Sequence, residues 1–263
     1  MTMSPFTRVL LGLCCLLVAL WLVAPTLVVV PMSFNENKSL AFPPKGFTLD
    51  WYANFFSNPE WSSSLFNSLK VASLVAVAAT VLGTLAAFGL DRMKSASAGW
   101  LRMILLTPMI VPGVVLGIGI YAVYLDTHLV GTLFGFVVAH TMLAIPFVLI
   151  AVSASLEVFD KRLELAAASL GAGRWTTFRT VTMPLIAPGI LSGFLFAFVT
   201  SFDEIIVSLF ITSPYLKTLP VQIYSSITRD ADPTVAAVGT ILFLATTLLI
   251  GLGLVLFGRE RRT

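Results

Sequence analysis

The chain has 263 residues, 57% of them hydrophobic and only 11% charged, with a formal net charge of +3. A water-soluble domain of this length carries about 25% charged residues, so the composition excludes a soluble enzyme or binding module and points to an integral membrane protein whose surroundings are the lipid bilayer. Its apolar runs reach the roughly 20 residues of a spanning helix, which argues against the short strands of a barrel.

Six spans are predicted. The first, residues 9–34, carries no charge. It exceeds the roughly 7–15 residues of a signal-peptide core and no small-residue cleavage site follows, so it reads as a retained signal anchor. Cys14 and Cys15 are adjacent within it. Neighbouring Cα atoms stand about 3.8 Å apart, too close for an ordinary disulfide, so both are packing residues. Trp51, in the loop that follows, suits two roles equally: stacking on a substrate cation or anchoring at the membrane interface. The second span is 71–90 and the third 103–125. Pro108, Pro112, Gly113, Gly117 and Gly119 interrupt the third. Such backbone is tolerated where helices pack closely or line a cavity, and it reads as gate flexibility. The fourth span, 129–156, holds His140 with no second His, Cys or Asp at ligand spacing. A packed, hydrogen-bonded histidine is expected there rather than a metal ligand or proton relay.

Residues 157–184 form a polar loop before span five. Its 160–170 stretch is rich in Ala and Leu, as helices are, and Gly171 and Gly173 suit a helix end in the left-handed region. A second short helix is expected at 174–181, with Met183-Pro184 leading into the membrane. The residues alone fit a partner-binding elbow or an amphipathic segment on the bilayer surface, with Arg174, Trp175 and Arg179 at the headgroups. Span five, 184–212, carries Asp203 and Glu204 well inside it. Ionised carboxylates in hydrocarbon are costly unless they face water, a partner or a cation. At helical spacing Glu204 shares a face with Ser201 and Ser208, and Asp203 with Thr200. This stripe predicts a cation-attracting wall of a substrate pathway; the alternative is a carboxylate locked against a partner subunit. The sixth span is 233–258.

Orientation follows from the loop basic residues. Arg8, Arg92, Lys94, Arg102, Lys161, Arg162, Arg174, Arg179, Arg259, Arg261 and Arg262 fall on one side, and only Lys38, Lys45, Lys70, Lys217 and Arg229 on the other. The first side is expected to be cytoplasmic, with both termini and the 157–184 loop. The small positive net charge reflects this placement and not nucleic-acid binding. No internal repeat or soluble domain is visible, so residues 1–263 read as one transmembrane domain.

Residues 164–184, ELAAASLGAGRWTTFRTVTMP, resemble the EAA loop of ABC-importer permeases. Ala166-Ala167, Gly171, Val181 and Met183-Pro184 fall at the family's places, while the family's Glu falls on Leu165, with Glu164 one position earlier. One residue is a rotation of about 100° on a helix. The resemblance covers nearly the whole chain and is nearest to the smaller permeases of the spermidine/putrescine type, through Gly46-Phe47-Thr48, Trp51-Tyr52, Asn67-Ser68-Leu69, His140 with Pro146-Phe147, Ser201-Phe202-Asp203-Glu204, and Thr218-Leu219-Pro220 with Ile223-Tyr224. It departs after Pro108, where relatives that handle polyamines often carry an acid and this chain has Met109.

The resemblance implies an all-α permease of type I architecture with six transmembrane helices in a bacterial inner membrane. The chain would be no enzyme and hold no cofactor or metal, ATP and Mg being bound by two partner ATPase subunits. A second homologous permease and an extracytoplasmic solute-binding protein complete the implied complex. Glu164, Leu165, Ala166, Ala167, Gly171 and Ala172 would form the ATPase-coupling contact. Asp203, Glu204, Ser201, Thr200, Ser208 and Trp51 would line the pathway of a polyamine, or alternatively of an opine, 4-aminobutyrate or another amino compound. The rival class is a stand-alone secondary transporter or channel, against which stand the short chain and the lack of an inverted repeat. No G-x-x-x-x-G-K-[ST], GxSxG or HExxH sequence is present to support an active site.

Overall fold

The computed structural model describes residues 4–258 except Lys94, Ala96 and Asp230. Of the basic residues used for orientation, Lys94, Arg259, Arg261 and Arg262 lie outside the described residues. Among the described residues the regular structure is helical, apart from one bridge between Ser213 and Leu216. In chain order the helices are α1 (Pro5–Met32), α2 (Asp50–Ser57), α3 (Pro59–Arg92), α4 (Ser97–Ile110), α5 (Gly113–Asp126), α6 (Leu133–Val158), α7 (Arg162–Ser169) and α8 (Arg174–Thr177). A π-turn at Phe178–Thr182 leads into α9 (Met183–Phe202), followed by α10 (Ile206–Ile211), α11 (Leu219–Arg229) and α12 (Thr234–Gly258).

Five helical stretches are long and apolar enough to cross a membrane, and α4 with α5 make a sixth if the bent pair counts as one span. The all-helical membrane fold is thus as expected. Four boundaries differ by more than four residues, the first being span two, which begins at Pro59 and not at 71. Span three starts earlier, at Ser97, and bends by 100° between Ile110 and Gly113. Pro112 lacks an N–H and biases Val111 away from helix, so the chain turns there. The separate helix expected at 174–181 is instead continuous with span five, as Arg174–Phe202 runs unbroken through the π-turn. Span five, expected to reach residue 212, stops at Phe202 and resumes as α10.

The chain divides into two compact units, residues 1–62 with 223–263, and residues 63–222. In the first, α1 and α2 pack on α12, and Asn54 Nδ2 donates to Thr234 Oγ1 at 2.8 Å. In the second, α6 is the hub. Its Phe136, Ala139, Ala144, Val148, Leu149 and Val152 are buried, and α9 lies along it more extensively than any other pair of elements. Small residues permit the approach. Gly189 faces Ser155, and a Cβ on Gly193 would stand 3.1 Å from the Val148 backbone. Helices in lipid gain no hydrophobic drive toward each other and depend on such close packing.

Candidate functional site

The acidic pair lies at a helix break and not in the interior of a continuous span. Asp203 ends α9, its N–H donating to Val199 O at 3.0 Å. Glu204 precedes α10, and its carboxylate accepts the Val207 N–H at 2.6 Å. A short helix leaves its first N–H groups unpaired, and Glu204 supplies one acceptor. The Asp203 side chain is exposed, and its carboxylate has no hydrogen bond or ion pair among the described residues. The two acids therefore differ: one caps a helix and the other is free.

The expected stripe is also rearranged. Ser201 and Ser208 are buried and turn to His140, which is 0% exposed. The Nδ1 atom of His140 is 2.9 Å from Ser201 Oγ, and Nε2 is 3.0 Å from Ser208 Oγ. Ser208 Oγ lies 2.9 Å from Glu204 O, to which it donates. His140 is thus the packed, hydrogen-bonded histidine anticipated from sequence, and its two partners straddle the break. Thr200 and Glu204 open instead onto a cavity of about 280 Å3, shared with Pro108, Met109, Gly113, Leu143 and Phe147. The cavity sits where the α4–α5 bend meets the α9–α10 break. There α10 backs onto α5: a Cβ on Gly117 would collide with the Phe210 ring, and one on Gly113 would stand 3.3 Å from Ile206. One carboxylate inside an otherwise largely apolar cavity can neutralise an ammonium while its walls pack methylenes.

Trp51 lies in the other unit. Its indole N–H donates to Asn35 O at 2.7 Å, while Phe34 stacks on Phe47 with centroids 5.0 Å apart. This holds the 33–49 loop together and ties up the polar end of the ring.

The 157–184 loop forms the elbow. Gly171 has φ +83°, the left-handed backbone expected of it. Its N–H donates to Ala168 O and that of Ala172 to Ala167 O, both at 3.0 Å, the paired bonds of a Schellman stop. Glu164 is turned toward its own chain, accepting Thr182 Oγ1 at 2.7 Å and lying 3.5 Å from Arg92. Lys161 pairs with Asp91 at 2.9 Å. Exposed ion pairs contribute little singly; here they fix where α7 sits. Leu165 is 69% exposed and Leu170 89% exposed, with Ala166 exposed beside them and Ala167 and Ala172 half-buried. The end of α7 thus presents two large apolar side chains away from its own chain.

Sequence reasoning missed the His140 clasp, the Glu204 cap and the Thr182 partner of Glu164. The spacing of Ser201 and Ser208, two turns apart, together with the single histidine of span four, was a signal for the clasp.

Residues 79–263 match the family profile described as "Binding-protein-dependent transport system inner membrane component". The chain is similar to the spermidine/putrescine transport system permease protein PotC of Escherichia coli (strain K12), 30% identical over 233 residues that cover 88% of this chain and 87% of that protein. It is also similar to PhnV of Salmonella typhimurium, described as a candidate 2-aminoethylphosphonate transport system permease, 32% identical over 226 residues covering 85% and 84%. Among solved structures it resembles a chain of a bacterial ABC transporter involved in the import of the acidic polysaccharide alginate, with a TM-score of 0.71 over 97% of this chain and 98% of that one. At 15% identity that likeness speaks for the fold alone.

Proposed function

This chain belongs to the binding-protein-dependent transport system inner membrane components, and from that premise we propose that it passes a small amino-bearing solute, a polyamine in the first instance, across the membrane. The family membership makes it a multi-pass inner-membrane permease of an ABC importer, without catalysis of its own, ATP being bound by separate ATPase subunits. The observation that carries the substrate reading is the cavity at the two helix breaks. Glu204 lines it with Leu143, Phe147 and Met109, and the unpartnered Asp203 stands next in the chain. The likeness to PotC supports a polyamine.

A specific observation favours a second reading. Met109 stands after Pro108, where the resemblance to polyamine permeases would place an acid, and it lines the same cavity as Glu204. A pathway with one acidic cluster suits a solute with a single ammonium group, such as 4-aminobutyrate, an opine or 2-aminoethylphosphonate. The likeness to PhnV points the same way.

In this proposal both termini are cytoplasmic and the complex holds a second homologous permease, two ATPase subunits and an extracytoplasmic solute-binding protein. The exposed face of α7 around Leu165 and Leu170 receives the ATPase. The test is ATP-driven uptake in proteoliposomes by the complex purified with its own partners. Labelled putrescine, spermidine, 4-aminobutyrate and 2-aminoethylphosphonate are offered separately. Uptake of putrescine competed by spermidine supports the first reading, and uptake of the zwitterions alone supports the second. Transport driven by an ion gradient with no ATPase in the complex would defeat both.

A further inference from the structure

We infer that His140 is the positioning residue of the proposed pathway: as a neutral imidazole protonated on Nε2, it clasps both sides of the α9–α10 break and sets how Asp203 and Glu204 leave the backbone. The inference rests on the reading that this pair faces the pathway.

Ser208 Oγ donates its one proton to Glu204 O, and a carbonyl can only accept. Ser208 Oγ must then accept from the other neighbour within reach, His140 Nε2 at 3.0 Å. Nε2 therefore carries the proton. In a neutral ring Nδ1 is then an acceptor, and Ser201 Oγ, 2.9 Å away, donates to it. The chain runs one way: Ser201 O–H to Nδ1, Nε2–H to Ser208 Oγ, Ser208 O–H to Glu204 C=O. Every member is satisfied. The opposite tautomer would draw the Ser208 proton to Nε2 and strip the Glu204 carbonyl of it, breaking the last link of the chain. An imidazolium would place a buried charge between two neutral hydroxyls. Both are disfavoured where water cannot compensate.

Geometry turns this chain into a positioning device. Ser201 is in the last turn of α9 and Ser208 in α10, so one ring spans a break that contains no Pro or Gly. The last link ends on the carbonyl of Glu204, the residue whose carboxylate caps Val207. The peptide groups around residues 203–205 are thereby held from α6, the buried hub of this unit. A histidine that merely fills space would need neither a fixed tautomer nor partners on both sides of the break.

Two measurements test this. The chain holds two histidines, so His128→Gln leaves His140 as the sole imidazole in 15N-histidine-labelled protein. The nitrogen spectrum should show Nε2 protonated and Nδ1 bare, with Ser201→Ala shifting the Nδ1 signal and Ser208→Ala the Nε2 signal. A proton on Nδ1 would overturn the inference.

The second measurement reads position directly. In a Cys14→Ala/Cys15→Ala background, Asp203→Cys is placed in the assembled transporter in membranes and modified with a water-soluble cationic methanethiosulfonate. His140→Gln keeps an amide nitrogen near the Nε2 position and should leave the modification rate within about twofold, whereas His140→Asn cannot reach Ser208 and should change it by about tenfold, the factor for one lost buried hydrogen bond. Ser208→Ala, a milder change, should act as His140→Asn does. Equal rates in the Gln and Asn proteins, or no effect of Ser208→Ala, would overturn the positioning role. If the parent Asp203→Cys protein resists the reagent altogether, the pathway reading falls and the positioning role with it. The nitrogen spectrum still decides the clasp by itself.

Discussion

Neutralising the acidic pair one member at a time should separate charge from architecture. Asp203 is exposed and unpaired among the described residues, so Asp203→Asn removes a charge and breaks no contact of the resting protein. Glu204 has two roles, since its Oε1 accepts the Val207 N–H at 2.6 Å. Glu204→Gln keeps an amide oxygen for that bond and loses only the charge; Glu204→Ala loses the cap as well. A hydrogen bond to a charged group contributes about 1.5–3 kcal/mol, and each 1.4 kcal/mol is about tenfold in rate. Uptake should therefore fall roughly tenfold or more in Asp203→Asn, and by less in Glu204→Gln, whose carboxylate already has a backbone partner. Glu204→Ala should add the loss of a helix cap, about 0.5–2 kcal/mol, seen as lower recovery of folded complex. The assay is ATP-driven uptake of labelled putrescine in proteoliposomes at saturating binding protein, with ATPase activity and subunit stoichiometry measured on the same vesicles. Near-normal transport by the double Asn/Gln protein would refute the reasoning. So would a loss of transport explained wholly by failure of the two permease subunits to associate, which would make the pair structural.

Three further outcomes are expected. Gly171→Asp leaves insertion intact but weakens ATPase co-purification and abolishes uptake; nothing lies within 4 Å of a Cβ at that site, so the fault is the φ of +83° alone, a strain of about 1–2 kcal/mol for a residue with a side chain. Normal uptake by the assembled Gly171→Asp complex would remove this loop from the docking site. Leu165→Glu is tolerated, because position 165 is exposed and the change restores the residue of the resembled loop; severe loss of uptake there would mean a different docking contact. Reporter fusions at Arg92, Asp126, Arg174 and Tyr215 read in, out, in and out; an inward signal at Asp126 would make the bent α4–α5 pair re-entrant, and an outward one at Arg174 would sink the coupling loop.

The sequence makes the spans legible because length and apolarity are local properties, and residues 233–258 and α12 agree to within one residue. The left-handed turn at Gly171 is legible for the same reason, since a helical stretch closed by Gly is a local signal. The breaks are different. Pro112 announces an interruption, but its 100° angle depends on α5 packing against α10 through Gly113 and Gly117. At 203–205 no breaker is present, and hydrogen bonds from His140, more than sixty residues away, hold the break. A helical wheel through Ser201, Glu204 and Ser208 therefore groups residues that the folded chain separates. Glu164 teaches the same lesson: its partners lie 18 and 72 residues away, beyond what a loop motif can show.

The continuity of α8, the π-turn and α9 links the two proposed sites mechanically. Arg174–Phe202 spans 29 residues without a break, about 43 Å at the helical rise. It starts beside the Gly171 elbow and ends next to Asp203. On the proposed function, a push on α7 reaches this rod through the short 170–173 connection and through the Glu164–Thr182 bond. The rod's far end is bound to α6 by the His140 clasp. Movement of the rod along α6 therefore strains the clasp before it moves α10, and the break with its carboxylates is where displacement would be released. A π-turn is a customary site of local adjustment within a helix, and it lies at the driven end, where it can absorb part of the stroke. Coupling then depends on how much displacement survives from Thr182 to Phe202. The close Gly189 and Gly193 contacts with α6 make that passage a track rather than a hinge.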